Sequence, residues 1–445
     1  MLALGVLAGC AKKQEILPGQ RYDIDVPLSQ TLPGSEGELA TEMGTLRAPA
    51  PNRAEPIALP APVAHAEWGH LNGSSRHRIQ HPALESPPKL VWTANIGGGD
   101  TRRSRITASP VAGDGRIYTL DAYANVRAFD LGSGAALWSV DLTPPGERSD
   151  AASGGALTLA EGRLYVTTGF GTLAALDPAT GQEIWNRSKD SPLAGGVTVE
   201  RGTLYAVSRD SRAWAFEADT GRVRWEIPGV PADTLISGGP APALTETLVI
   251  FPFSSGDLVA ALKQNGIRVW QASVAGRRSG LARAAITDIT GDPVIDGGVV
   301  YAGNQAGRSI ALETASGRLV WTVSEGALGP IWPEGGSVFL ISDRNSLLRL
   351  DASDGSRIWE AELPNFVAAG KPQHRWDAVV AHHGPVLAGG IVWIASSDDR
   401  LRGFDPVSGE RVHELRLPGG AASAPIVVSG TLYVVSKQGR LHAFR

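Results

Sequence analysis

The sequence predicts an all-β protein, an eight-bladed β-propeller of four-stranded antiparallel blades closed by the N- and C-terminal strands. Three observations support this fold class. A motif recurs from Trp92 to His413 in seven steps over 321 residues, a period of about 46 residues that is typical of propeller blades. The 445 residues include 54 glycines and 30 prolines, which indicates many turns. The first and last copies of the motif are incomplete in complementary ways.

Each copy of the motif predicts two strands joined by a tight turn. In the clearest copy, residues 173–176 form a strand with two different faces, and Asp177-Pro-Ala-Thr-Gly181 follows as the turn. Proline presets the first turn residue, the carboxylate accepts hydrogen bonds from turn amides, and glycine supplies a positive φ. A second strand pair precedes most copies and contains a tyrosine, as at Tyr118 and Tyr165. Each repeat therefore predicts four short strands.

The two ends of the repeat array predict how the ring closes. The last copy, residues 423–444, lacks its tryptophan strand, whereas residues 90–92 supply such a strand with nothing before it. Pairing of residues 90–93 with residues 441–444 completes an eighth blade and leaves no unpaired strand edge. The alternative is a seven-bladed ring with a separate N-terminal strand, which leaves the incomplete last repeat unexplained.

The N-terminal residues differ in composition from the repeats. Residues 1–10 are uncharged and apolar and end in Leu7-Ala8-Gly9-Cys10, with the only cysteine of the chain at the last position. This stretch resembles the end of a bacterial lipoprotein signal, which implies lipidation of Cys10 and attachment to the outer membrane, facing the periplasm. The true start is expected upstream, because no basic residue precedes Cys10. The alternative is a buried apolar segment with an incidental thiol.

Residues 11–66 contain eight prolines and no apolar period, so they predict an extended tether before a propeller at 67–445. We expect residues 14–60 to be dispensable for stability.

The motif Ala-Leu-Asp-x-x-Thr-Gly-x-x-x-Trp resembles the repeat of pyrroloquinoline quinone (PQQ) propellers. In that superfamily each tryptophan docks on the next blade, which is a structural role. Within that superfamily, the sequence is most similar to the BamB family of outer-membrane β-barrel assembly lipoproteins. Three features carry this similarity: the stretch Leu7-Ala8-Gly9-Cys10, the eight repeats and the stretch from Asp288 to Ala302. The second acid of the family stretch is replaced here by Thr290. The resemblance implies a non-catalytic scaffold that binds a BamA-like subunit and helps outer-membrane proteins insert, with unfolded substrates as further partners.

Other functions find less support in the sequence. A formal charge of −4 argues against nucleic-acid binding, and one cysteine excludes an internal disulfide and a cysteine-rich metal site. No apolar run reaches 18 residues, so no membrane span is expected. A PQQ-dependent dehydrogenase would need clustered calcium ligands, whereas most acids here occupy turn positions. We therefore predict no enzyme activity, no cofactor and no metal.

A propeller that binds cell-wall polysaccharide is a further alternative, in which Trp332, Trp376 and Trp393 stack on sugars. His374, His382 and His383 are predicted to be exposed loop residues.

The resemblance also implies a partner contact on the loops that enter the fourth and fifth repeats. Residues 234–237 match an apolar stretch of the family, and residues 283–292 match an acidic one. Ser237 replaces an expected basic residue, a role that Arg277 or Arg278 could take. The alternative is that the apolar residues belong to the core between blades and that Asp288 caps a turn. The residues predicted to contact the partner are Leu235, Ile236, Arg283, Asp288 and Asp292.

Overall fold

A computed structural model describes residues 51–232, 238–276, 278, 286–366 and 379–445. Asn52–Arg445 form one compact unit. It consists of eight four-stranded antiparallel sheets, and a single turn of 3₁₀ helix lies at Leu71–Gly73 among the described residues. This confirms the predicted eight-bladed β-propeller.

The first four blades follow one another along the chain. Blade 1 contains β2 (Val111–Gly113), β3 (Arg116–Leu120), β4 (Asn125–Asp130) and β5 (Ala136–Asp141). Blade 2 contains β6 (Gly155–Ala160), β7 (Arg163–Thr168), β8 (Thr172–Leu176) and β9 (Glu183–Ser188). Blade 3 contains β10 (Thr198–Glu200), β11 (Thr203–Ser208), β12 (Arg212–Glu217) and β13 (Val223–Pro228). Blade 4 contains β14 (Ala243–Leu244), β15 (Leu248–Pro252), β16 (Asp257–Leu262) and β17 (Arg268–Ser273).

The remaining blades continue the order, and the last one takes its outermost strand from the beginning of the propeller. Blade 5 contains β18 (Val294–Asp296), β19 (Val299–Asn304), β20 (Arg308–Glu313) and β21 (Leu319–Val323). Blade 6 contains β22 (Trp332–Glu334), β23 (Ser337–Ile341), β24 (Ser346–Asp351) and β25 (Arg357–Glu362). Blade 7 contains β26 (His382–Ala388), β27 (Ile391–Ser396), β28 (Arg400–Phe404) and β29 (Arg411–Arg416). Blade 8 contains β30 (Ile426–Val428), β31 (Thr431–Ser436), β32 (Arg440–Phe444) and β1 (Leu90–Asn95).

The pairing of β1 with β32 closes the ring. Leu90 pairs with Phe444 and Asn95 with Arg440, in the antiparallel sense predicted from the incomplete repeats. The seven-bladed alternative is therefore wrong. Closure leaves the outer strand of blade 8 paired, as in every other blade.

Tryptophans dock seven of the eight blades onto the next one. The ring of Trp138 lies against Gly181 of blade 2, where an added Cβ would come within 2.7 Å of the indole. The same contact joins Trp92 to Gly134 and Trp359 to Gly409. In five cases the indole N–H also donates to a carbonyl in the neighbouring turn, from Trp138, Trp185, Trp270, Trp321 and Trp359 to Pro178, Ala218, Thr314, Ala352 and Pro406. The tryptophans are thus structural, as predicted.

His413 of blade 7 takes a different partner because blade 8 has no turn between its two outer strands. These strands come from opposite ends of the propeller, so the docking glycine is missing. The imidazole stacks on Trp393, with ring centroids 5.7 Å apart, and its Nε2 lies 2.9 Å from the Ser86 hydroxyl. The substitution of histidine for tryptophan thus follows from the position of the seam.

The compact unit begins earlier than the predicted boundary at residue 67. Residues 52–66, assigned to the tether from sequence, pack on the blades: the Asn52 side chain bonds the backbone of Glu360, and the Arg53 amide donates to Ile358. Deletion of residues 14–60 would therefore also remove the contacts that residues 52–55 make with blades 6 and 7.

Candidate functional site

The innermost strands of all eight blades surround a cavity of about 400 Å³ at the centre of the ring. Its wall consists mainly of the first residues of those strands and the loops that lead into them, including Pro110, Gly155, Gly195, Gly239, Gly291, Gly329, Gly384 and Ser423. His70, Leu71 and His77 of the N-terminal segment also contribute to the lining. The described ends of the connections that enter blades 4 and 5, at Gly238 and at Thr290, line this cavity.

The loop that enters blade 4 contains two of the predicted contact residues. Leu235 and Ile236 lie outside the described residues, as does Ser237. The described part resumes at Gly238, and the amide of Gly239 donates to the carbonyl of Ala194 in the neighbouring blade. The end of this loop is thus held against blade 3.

The loop that enters blade 5 contains the predicted acids. Arg283 lies outside the described residues. Asp288 and Asp292 are only 4% and 6% exposed. The carboxylate of Asp292 accepts a hydrogen bond from the amide of Ala241, and burial raises the pKa of this carboxyl group. Asp292 therefore ties the loop of blade 5 to that of blade 4, a role that the sequence did not indicate.

Arg278 belongs to the same connection and is not available as the basic contact considered above. Its guanidinium contacts Asp343 of blade 6 at 2.8 and 3.0 Å and lies 3.3 Å from Glu325. It also donates to the carbonyl of Ser324. Asp343 in turn accepts from the amide of Gly326. The arginine thus fixes the beginning of the blade 5 loop to blade 6. Arg277 lies outside the described residues.

The histidine pair does not occupy an exposed loop, so that expectation is wrong. His382 begins β26, is buried, and bonds the Ser396 hydroxyl at 2.7 Å and the Pro364 carbonyl at 2.9 Å. Burial lowers the pKa of His383 to about 4, so its imidazole is neutral at pH 7. His374 lies outside the described residues. His382 and His383 instead begin β26, most of whose residues are buried within blade 7.

The tryptophans considered for sugar stacking also belong to the core where they are described. Trp332 and Trp393 are buried, and Trp332 stacks on Trp68 with ring centroids 6.4 Å apart. Trp376 lies outside the described residues.

Among the residues that the structure describes, no group of three or more metal-ligating side chains could hold an ion. In the same part of the chain, no helix has the length and apolar character needed to cross a membrane.

Eight blades, a docking tryptophan in most of them and acid-capped turns define the class: a PQQ-like β-propeller. The family described as "Outer membrane protein assembly factor BamB" matches residues 122–361 and 367–445. The chain belongs to this BamB family. BamB of Shewanella oneidensis is 24% identical over 363 residues, covering 80% of this chain and 88% of its own. BamB of Bordetella pertussis is 28% identical over 343 residues, covering 76% and 81%.

Solved structures show the same fold. The crystal structure of BamB from Moraxella catarrhalis superposes with a TM-score of 0.67 at 15% identity and covers 80% of this chain and 99% of that one. Quinohemoprotein alcohol dehydrogenase from Comamonas testosteroni gives a TM-score of 0.65 at 16% identity, covering 85% and 80%. At this level of identity, both comparisons establish the fold alone.

Proposed function

We propose that this chain is a non-catalytic scaffold of the outer-membrane β-barrel assembly machinery. The observation that carries this proposal is the match of the BamB family over most of the propeller. The scaffold binds the BamA-like subunit and helps outer-membrane proteins insert, with unfolded substrates as further partners. A rigid ring with loops on its faces suits such recognition, since the blades hold the loops in place without chemistry.

The cavity supports a non-catalytic role over quinone chemistry. A calcium ion beside a quinone needs several converging oxygen ligands. Among the described residues that line the cavity, Asp292 is the one acidic side chain, and it already bonds the Ala241 amide. The described lining therefore does not fit a calcium-dependent quinone. No described feature favours the polysaccharide-binding alternative, since Trp332 and Trp393 are buried.

The loops that enter blades 4 and 5 form the proposed contact with the BamA-like subunit. Leu235 and Ile236 supply apolar surface, worth about 1.5–3 kcal/mol for each side chain that becomes fully buried. Arg283, Asp288 and Asp292 supply charge that orients the partner. Because Asp288 and Asp292 are buried in the isolated chain, their carboxylates reach a partner only after the loop rearranges. Leu235 and Ile236 are therefore the stronger test positions.

Affinity capture of the purified periplasmic part of the BamA-like subunit tests this contact. Leu235→Asp is expected to weaken capture at least tenfold with a nearly unchanged melting temperature. Asp288→Arg is expected to weaken capture as well. Val412→Asp, at an exposed apolar residue of β29 on blade 7, is the matched control and should bind normally. Retained binding in both loop variants would place the interface elsewhere, and lost folding in Leu235→Asp would assign this residue to the core.

The proposed anchor is lipid on Cys10, which lies outside the described residues. It holds the protein at the outer membrane, facing the periplasm. Expression of the complete gene with Cys10→Ser, followed by membrane fractionation and mass measurement, tests the anchor. A variant that stays in the membrane fraction with the mass of the wild type would contradict lipidation.

A further inference from the structure

The innermost strand of each blade is an edge strand, and its inward-facing amides need partners. In an antiparallel sheet, alternate N–H groups of an edge strand point away from the neighbouring strand. In β2 the N–H group that points away from the neighbouring strand, towards the centre of the ring, is the amide of Ala112. A buried N–H without a partner costs about 1–3 kcal/mol, so eight such edges are a substantial cost if nothing covers them.

The N-terminal segment of residues 63–83, here called the strap, covers these edges. Its Trp68 carbonyl accepts from the Ala112 amide at 3.0 Å, and the Trp68 amide donates to the Ala112 carbonyl at 2.7 Å. Strap carbonyls also accept from Leu159, Leu244, Ile295, Gly389 and Ser429 at 2.8–3.0 Å. In blade 3 the Val199 amide donates instead to the imidazole Nε2 of His70 at 3.3 Å. Seven blades are thus bonded to the strap, blades 1 to 5 through their innermost strand and blades 7 and 8 through the first residue after it, Gly389 and Ser429.

Blade 6 is the exception, and its sequence explains why. The corresponding position is Pro333, which has no N–H to donate. The strap reaches this blade through side chains instead: Arg78 lies 3.3 Å from Glu334, and Trp68 stacks on Trp332. Arg78 also pairs with Asp296 of blade 5 at 2.8 Å. The strap therefore contacts all eight blades.

Close packing, in addition to hydrogen bonds, holds the strap against the blades. Trp68 is 1% exposed and belongs to the largest apolar cluster of the protein. Gly69 passes so close to blade 2 that an added Cβ would lie 2.1 Å from the Leu159 carbonyl oxygen. Asn72 and His77 are buried as well. Such burial is typical of an integral part of a fold and not of a loosely bound segment.

We propose that the strap is an internal clasp, which locks the eight blades together from the centre of the ring and closes one end of the central cavity. The closure through β1 and β32 holds the ring at its seam, whereas the strap acts on every blade at once. His70, Leu71 and His77 form part of the cavity wall, so the strap borders the cavity directly.

Hydrogen exchange of the full-length protein tests the clasp. The amides of Ala112, Leu159, Leu244, Ile295, Gly389 and Ser429 are expected to be strongly protected. Gly69→Ala should push the strap away from blade 2 and raise the exchange rates of these amides at least tenfold, together with a lower melting temperature. Gly132→Ala is the matched control, because an added Cβ there meets only the Asp130 carboxylate at 3.6 Å. Faster exchange at Leu159 alone would overturn the proposal, since it would show a local contact.

A cleavage experiment covers the case in which Gly69→Ala does not fold. A protease site is placed at residues 85–89, between the strap and β1, where Glu85, Ser86 and Pro87 are exposed. After cleavage of the folded protein, the N-terminal fragment should co-elute with the propeller in size-exclusion chromatography. A fragment that dissociates and leaves a monomeric propeller with an unchanged melting temperature would overturn the proposal.

Discussion

At the scale of single residues, the five-residue turn from Asp177 to Gly181 needs a carboxylate at its first position and a glycine at its last. The carboxylate of Asp177 accepts from the amides of Ala179 and Thr180, which lowers the pKa of this group. Gly181 has a φ of +75°, and the Trp138 indole lies against its Cα. Glycine is thus required twice, by its backbone conformation and by the docking of the preceding blade.

Gly181→Ala separates these two requirements when it is compared with Gly162→Ala. Gly162 has a similar φ of +72° but no atom within 4 Å of an added Cβ. The left-handed conformation costs a non-glycine residue about 1–2 kcal/mol at either position. Gly181→Ala should lower the melting temperature clearly further, because the added methyl displaces Trp138. Equal melting temperatures for the two variants would show that the indole contact contributes little.

A second prediction at this scale concerns His70 of the strap. Burial, with a smaller effect of His77, lowers the pKa of His70 to about 3, compared with about 6.5 in an unfolded chain. Between these values the unfolded chain binds a proton that the folded protein does not. Stability should therefore fall as the pH decreases from 6.5 towards 3, by up to about 1.4 kcal/mol per pH unit for this group.

His70→Gln tests this pH dependence, because the glutamine carbonyl can still accept from the Val199 amide. The variant should lose less melting temperature between pH 7 and pH 5 than the wild type does. His65→Gln, at a partly exposed histidine of the strap, is the control for the substitution of histidine by glutamine in this segment. A His70→Gln variant with the wild-type pH dependence would contradict the assignment to His70.

At the scale of elements, a bulge beside each docking residue explains its orientation. In blade 2, Trp185 pairs with Ala175 and Glu183 with Leu176, so Ile184 has no partner of its own. The same shift recurs where the outermost strand of each blade pairs. A bulge bends its strand and re-aims a side chain, so the tryptophan turns towards the next blade while Ile184 remains exposed.

The segment before the strap depends on one buried side chain of β24. The guanidinium of Arg349 donates to the carbonyls of Glu55, Pro56 and Pro406. Arg349→Met would keep most of the apolar volume and remove all three bonds. We expect trypsin to cut after Arg53 at least tenfold faster in this variant, because residues 52–56 would detach.

Arg318→Met is the control for this experiment. Arg318 forms an exposed ion pair with Glu313, and such pairs contribute about 0–1 kcal/mol. Its loss should not change cleavage after Arg53. Unchanged cleavage in Arg349→Met would mean that other contacts, such as the Arg53 amide with the Ile358 carbonyl, suffice to hold the segment.

At the scale of the whole molecule, stability depends on a closed ring. Deletion of residues 436–445 removes β32, so β1 loses its only partner strand and β31, still paired with β30, becomes an open edge. We expect a sharp loss of solubility and melting temperature, since open edges promote aggregation. Deletion of residues 14–50 should change neither, because the compact unit begins at Asn52. Similar effects of both deletions, in thermal unfolding and solubility assays, would contradict closure as the source of stability.

The sequence by itself determined the fold class, the number of blades, the turn chemistry and the pairing at the seam. These features are local and periodic: a turn like that at Asp177 and a docking glycine like Gly181 recur in blades 1 to 7, so one repeat explains the others. The incomplete copies at the two ends then left one way to close the ring. The family resemblance rested on the same repeats, and the family match confirms it.

Only the tertiary structure decided the course of the strap, the burial of His382 and Asp288, and the role of Asp292. The strap has no apolar period, because its contacts pass from one blade to another along the segment, as Trp68 bonds Ala112 of blade 1 and His65 bonds Ser429 of blade 8. In the sequence Asp292 is one of several acids in a loop, and only the closed ring places its carboxylate beside the amide of Ala241. Such contacts join residues that are tens to hundreds of positions apart, and local patterns carry no information about them.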